Sequence, residues 1–304
     1  MPKIPYIQKK LSAARLATIA TANKIIDEYR AQGFTLTLRQ LYYQFVARDI
    51  IPNNQKQYAL LGSIINDGRL VGLIDWHAII DRTRSLASLA HWSDPSEIVD
   101  AVASQFRIDK WATQPVRPEV WIEKDALSGV VDGICKELDV PYFSCRGYTS
   151  QSEMWVGAMR LKQHLKAGQD TLILHFGDHD PSGKDMTRDI EERLELFMGG
   201  TEIRRLALNF DQIDEYKPPP NFAKVSDPRA KAYIAEFGDD SWELDALEPA
   251  VIVGLIRDTI EGVRDEDAWQ AKVEEENEHR RLLRKASERW SDITERLDNE
   301  NDDE

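Results

Sequence analysis

Cysteine is nearly missing from this sequence: of 304 residues only Cys135 and Cys145 are cysteine. Two thiols make no disulfide framework. One falls in a helical pattern and the other at a strand end, so both read as buried free thiols. No run of 18 apolar residues occurs, and no segment reads as a membrane-spanning helix. The opening MPKIPYIQKKLSAARLATIA is amphipathic, without the continuous apolar stretch and cleavage site of a secretory signal. A cytoplasmic protein is the expectation. A GxxxxGK(S/T) phosphate loop is also missing, because Gly183-Lys184-Asp185 lacks the preceding glycine spacing.

What is present is enough for a core, at 42% hydrophobic and 9% aromatic residues. The net charge of -14 argues at first against a polyanionic partner, but the charge is unevenly spread. Residues 1–92 hold 12 basic and 6 acidic side chains, a balance of +6, which leaves -20 for the remainder. Such asymmetry suggests that the positive end meets nucleic acid, against the plainer alternative of a solvated surface.

Along the chain, Leu11 to Gln32 reads as a helix closed by Gly33, and a second helix, LRQLYYQFVAR, follows the N-cap candidate Thr37. Pro52 and Asn53–Asn54 end it, and QKQYALLGSIINDGRL reads as a third helix. The apolar pattern VGLIDWHAII then suggests a short β ribbon. That order is the order of a winged helix-turn-helix, whose third helix enters the major groove. Gln55, Lys56, Gln57, Ser63, Asn66 and Arg69 are its polar candidates. The same three-helix pattern also serves as a protein-interaction scaffold. After a connector, EVWI, VPYFSC and TLILHFG read as strands alternating with helices, which means crossovers and a parallel sheet. RRLALNF suggests a further strand, YKPPPNFAKVSDPR a stiff loop, and the stretch from Pro249 onward charged helix.

Ligands gather at the carboxyl ends of parallel strands. Glu123 follows EVWI, and Asp178 and Asp180 follow TLILHFG. Three carboxylates converge only if those two strands are neighbours, and a divalent cation offsets their repulsion. All-oxygen ligation suits Mg2+, which can polarise a phosphodiester. Each acid taken alone is also an ordinary helix cap, and Asp-His-Asp-Pro-Ser-Gly is also an ordinary turn.

WIEKDALSGV, CRGYTS, GDHDPSG and TLRQLYYQF together resemble the A subunit of topoisomerase VI and the related meiotic double-strand-break protein, over roughly Thr35 to Asp189. The resemblance implies an α/β protein with an N-terminal winged helix-turn-helix, a Toprim-type parallel domain and a helical acidic C-terminus. On this reading 1–92 form the winged helix, 93–118 a connector, 119–248 the Toprim domain and 249–304 the charged helical region. It implies that Tyr43 is the nucleophile, that Arg39 holds a phosphate, and that Glu123, Asp178 and Asp180 hold Mg2+. Lys124 and Arg146 stabilise charge near the metal, and Arg39, Lys56, Arg69 and Arg146 contact DNA. His179, between the aspartates, points away from the metal by alternation. A homodimer is implied too, because in that family the tyrosine of one subunit meets the metal of another, and so is an ATPase partner of the topoisomerase VI B type. The setting is a bacterial or phage-encoded, nucleoid-associated protein. A tyrosine pair beside Leu38, Leu41, Phe45 and Val46 is equally what core packing looks like, and water as nucleophile or a non-catalytic DNA-binding role stays open. WELDAL resembles similar bacterial and phage proteins, with no chemistry attached to it.

Overall fold

Three capped helices begin the fold of the computed structural model, which describes residues 3–80, 89–223 and 226–301. Helix α1 (Ala13–Ala31) starts where Ser12 accepts the Arg15 amide. Helix α2 (Leu38–Ala47) starts with a reciprocal box in which Thr37 accepts the Gln40 amide and Gln40 accepts the Thr37 amide. Asn54 caps α3 (Gln55–Leu70). Each such cap contributes roughly 1 kcal/mol. The three helices enclose Ile25, Tyr29, Leu41, Phe45, Ile65 and Ile74, so their apolar stripes face one another.

The β ribbon expected after α3 is not formed among the described residues. Val71–Ile80 make only single bridges, Pro5 with Val71 and Leu36 with Ile79. The reason is local. Gly72 takes a left-handed φ of +75°, and the Asp75 carboxylate accepts the His77 amide at 2.9 Å, which turns the chain where a strand needs it extended. Helix α4 (Pro95–Gln105) belongs to a second unit, described below.

Strands β1 (Val116–Ile122), β2 (Tyr142–Ser144), β3 (Asp170–Phe176) and β4 (Glu202–Ala207) form one parallel sheet in the order β2-β1-β3-β4. Helices α5 (Ser128–Glu137), α6 (Gln151–Lys166) and α7 (Pro181–Met198) make the crossovers. Strands covered on both faces have no solvent side to alternate with, so Pro118–Ile122 of β1 and Thr171–Phe176 of β3 are buried without a break. Trp121, Met154, Leu161, Ile173 and Leu194 fill one face. The expected further strand is β4, which extends the sheet at its edge.

Beyond α8 (Phe210–Tyr216) the proline-rich stretch is not a plain loop. Its β5 (Pro220–Phe222) pairs antiparallel with β6 (Asp240–Trp242), which follows α9 (Ala230–Phe237). A 3-10 turn, Leu244–Ala246, leads on to α10 (Pro249–Val263). Residues Met1–Arg84 and Pro118–Glu261 constitute one compact unit, so the three-helix layer and the sheet belong together.

The second unit takes in Ser85–Arg117 and Gly262–Glu304. Its α4 packs along α11 (Glu266–Glu288), which is followed by α12 (Trp290–Asn301). The stretch expected as a connector therefore carries a packed helix. Trp111 is wholly buried against Trp269, and Lys110 donates to Glu276 at 2.7 Å in the interior. Both cysteines are free and buried, as expected. No helix among the described residues is long and apolar enough to cross a membrane.

Candidate metal centre

Strands β1 and β3 are neighbours, so the carboxyl ends that carry Glu123 and Asp178 lie side by side. The Glu123 amide donates to the Phe176 carbonyl at 2.8 Å, and Glu123 Oε2 accepts the Asp178 amide at 2.8 Å. The sequence expectation that these two acids meet is met in that sense. The set of carboxylates that converges is different from the expected one. Asp178, Glu243 and Asp245 place one oxygen each within 4.8 Å of the others.

Asp180 is spent on capping α7, where its Oδ1 accepts the Gly183 amide at 2.6 Å and the Ser182 hydroxyl at 2.9 Å. Pro181 at the first helical position suits this cap, having no amide hydrogen to satisfy. Gly183 is required by closeness, because a Cβ there would lie 2.3 Å from the Asp178 carbonyl oxygen. Glu123 orients the Asp178 backbone. Its carboxyl is raised by burial, and the amide bond it receives offsets part of that rise.

Glu243 and Asp245 come from a segment to which sequence reasoning attached no chemistry. Strand β6 is stitched to the Asp178–Asp180 loop by His179 N–H to Trp242 O and Trp242 N–H to His179 O, both 2.9 Å. The 3-10 turn that follows is held by the Leu244 amide donating to Asp178 Oδ1 at 2.7 Å. The signal was in the sequence all the same: Glu243-x-Asp245 after a tryptophan has the same two-residue spacing as Asp178-x-Asp180.

Two cations face this cluster. The Lys124 ammonium lies 2.8 Å from Asp178 Oδ2 and 3.0 Å from Asp245 Oδ1, and also pairs with Glu243. Arg39 reaches over from α2, with Nε 2.6 Å from Asp245 Oδ2 and Nη2 2.9 Å from Glu243 Oε2. Burial alone would lower the Lys124 ammonium, but Asp245, Asp178 and Glu243 outweigh it and hold the group protonated. Asp245 is likewise opposed by burial yet kept below the usual carboxylate range by Lys124 and Arg39. Burial pushes Asp178 up to about 8, with Lys124 pulling the other way. Three oxygen donors of this kind suit a hard divalent cation. Lys124 already marks the point where the fold collects positive charge, so the residues fit such an ion once that ammonium moves aside.

Tyr43 belongs to the same network. Its hydroxyl accepts from Arg39 Nη2 at 3.1 Å, and the guanidinium lies 5.4 Å from its ring centre. Tyr43 is 5% exposed, and burial together with Asp245 and Glu243 raises its phenol above the ordinary range, with Arg39 and Lys124 opposing. Tyr42 points elsewhere, donating to Asn53 Oδ1 at 3.0 Å and accepting the Asn54 amide at 2.7 Å. Arg39 thus joins Tyr43 to Glu243 and Asp245.

The remaining candidates are not gathered here. Arg146 is exposed and pairs with Asp125 at 3.3 Å. Arg69 turns inward to the carbonyls of Trp76 and Ile79, leaving Gln55, Lys56, Ser63 and Asn66 as the exposed polar residues of α3. His179 is fully buried with Nδ1 2.7 Å from the Tyr233 hydroxyl, among Phe210, Phe237 and Trp242. That agrees with its pointing away from the acids. Fold and site together define a mixed α/β protein with a carboxylate cluster able to hold a metal ion. No family model matches the chain, and no curated protein matches its sequence.

Proposed function

We propose that this chain is a magnesium-dependent DNA-cleaving enzyme of the topoisomerase VI A type, with residues 1–92 as its DNA-binding part, carried by the three helices, and 119–248 as its Toprim part. One observation carries the proposal: Arg39 holds the Tyr43 hydroxyl and the carboxylates of Glu243 and Asp245 at the same time. Asp178, Glu243 and Asp245 would hold the ion. Magnesium, when bound, supplies positive charge to the phosphodiester oxygens. Tyr43 Oη attacks phosphorus, forms a 5′-phosphotyrosyl link and releases a 3′-hydroxyl. Arg39 orients the phenol and draws the phosphate, while Lys124 adds charge beside it. DNA approaches over α3, where Lys56 is exposed. Two copies across a duplex give a double-strand break, and resealing with strand passage calls on an ATPase partner.

A second reading has water as the nucleophile and Tyr43 as a wall of the site. The burial of Tyr43 and the rise of its phenol favour it. Cleavage of supercoiled DNA with magnesium by wild type, Tyr43→Phe and Asp178→Ala separates the readings. Loss in both variants, with protein trapped on 5′ ends in the wild type, supports the tyrosine. Loss in Asp178→Ala alone supports water. A wild type that binds DNA and never cuts it, with ATPase partners added, overturns both and leaves a DNA-binding role.

A further inference from the structure

Next to the acidic cluster lies a pocket of about 230 Å³ lined by Asp178, Asp180, Asn221, Phe222, Ser241, Trp242 and Glu243. Its chemistry is sharply divided. The acids gather on one part of its wall, Asp178 being 6% exposed, whereas Phe222 is 86% exposed and the most exposed aromatic side chain among the described residues. We infer that Phe222 is a stacking platform for an unpaired base of the nucleic acid bound at the acidic cluster; this rests on the nucleic-acid reading above.

The backbone beneath that ring is well anchored although the ring itself packs on little. Pro218, Pro219 and Pro220 lead into β5 and restrict the approach. The β5 strand is paired in register with β6, Phe222 opposite Asp240, and β6 is bonded on its far side to His179. Asn221 Oδ1 accepts from Asn53 Nδ2 at 2.5 Å, and Asn53 in turn accepts from the Tyr42 hydroxyl, which ties the hairpin to the helical layer beside Tyr43. A phenyl ring on a fixed strand, open to solvent at the wall of a charged pocket, is the arrangement that bases stack on without sequence preference. The acidic wall repels phosphate except through a bound cation, so a nucleotide held there by its phosphate carries its base outward, toward the ring. An intact duplex keeps its bases stacked inside and gains nothing from Phe222, so the ring engages a strand that is single or, in a duplex being cut, locally opened at the cluster.

The test measures fluorescence anisotropy of a labelled single-stranded oligonucleotide and of the matching duplex with calcium present, on the full chain. Phe222→Ala should bind the single strand about 5- to 150-fold more weakly, the worth of one base–aromatic stack. Phe222→Trp should restore it, and the duplex affinity should move less than about 2-fold on the same scale. A Phe222→Ala variant that binds single strands as well as the wild type, or equal losses on both substrates, overturns the inference. So does a wild type that binds no nucleic acid, or a Phe222→Ala change confined to the oligomeric mass, which would make the ring a protein contact. Manganese titration of calcium-free samples keeps the two ideas apart: metal uptake with no selective single-strand loss sinks the stacking alone, whereas no metal uptake sinks the metal centre and, with it, the seating of a nucleotide beside Phe222.

Discussion

Replacing Lys124 by methionine tests the electrostatics of the cluster most searchingly. The ammonium is 18% exposed and touches Asp178, Glu243 and Asp245, whose carboxylates are 8%, 25% and 0% exposed. Methionine has a similar length and packs well, but it leaves Glu243 and Asp245 to Arg39 and takes from Asp178 its ion pair. Removing one member of a buried ion pair costs about 3–5 kcal/mol, because the partner stays desolvated and unpaired. Without divalent ions, Lys124→Met should therefore lose roughly that much in denaturant unfolding followed by circular dichroism. Magnesium should return part of the loss. At 100 times its dissociation constant an ion that binds only the folded state adds about 2.7 kcal/mol. The gain should be larger in the variant than in the wild type, where the ammonium competes for the same oxygens. Sodium chloride at matched ionic strength separates binding from screening. A variant as stable as wild type without metal, or one that magnesium does not rescue, refutes the reasoning.

Other expectations are simpler. Asp180→Ala removes a helix cap and should cost about 1 kcal/mol of stability while metal affinity holds. Trp121→Ala empties a site that is 1% exposed and should cost about 3–5 kcal/mol. His175 is buried neutral, with Nδ1 2.9 Å from Thr187 Oγ1, and burial draws its imidazole down from 6.5 to about 3, with Arg205 adding to it. The unfolded chain therefore binds a proton that the fold refuses, so this contribution is complete above about pH 6.5 and falls as pH falls; by pH 4.5 about 2.7 kcal/mol is lost. His175→Asn should about halve the histidine slope between those pH values, the rest coming from His179, which burial lowers to about 4.

Much of the fold was legible because its signals are local. The helix cap at Thr37, the break at Pro52 to Asn54, and β1 and β3 with acids at their ends follow from residue type and alternation, and Glu123 meets Asp178 once those strands are neighbours. Which carboxylates converge was not legible, for two reasons. Asp180 is the right residue both for binding a cation and for capping α7, and only geometry separates those uses. Glu243 and Asp245 follow a strand of three residues, too short to show a period, and are brought to the cluster by its bridge to His179, 63 positions back from Trp242. The proline-rich stretch hid β5 in the same way, since Pro220 can serve a strand only at an edge. The missing ribbon after α3 shows the converse: an apolar pattern reads as strand until a side-chain carboxylate, here Asp75, offers the backbone a turn.

Calorimetric titration of the full chain with manganese, wild type against five single variants, addresses the acidic centre without reference to any substrate. Asp178→Asn, Glu243→Gln and Asp245→Asn should each abolish or greatly weaken binding, and Glu123→Gln and Asp180→Asn should leave most of it. A wild type that takes up no ion, or losses that follow Glu123 and Asp180 while Glu243 and Asp245 prove dispensable, would contradict the account.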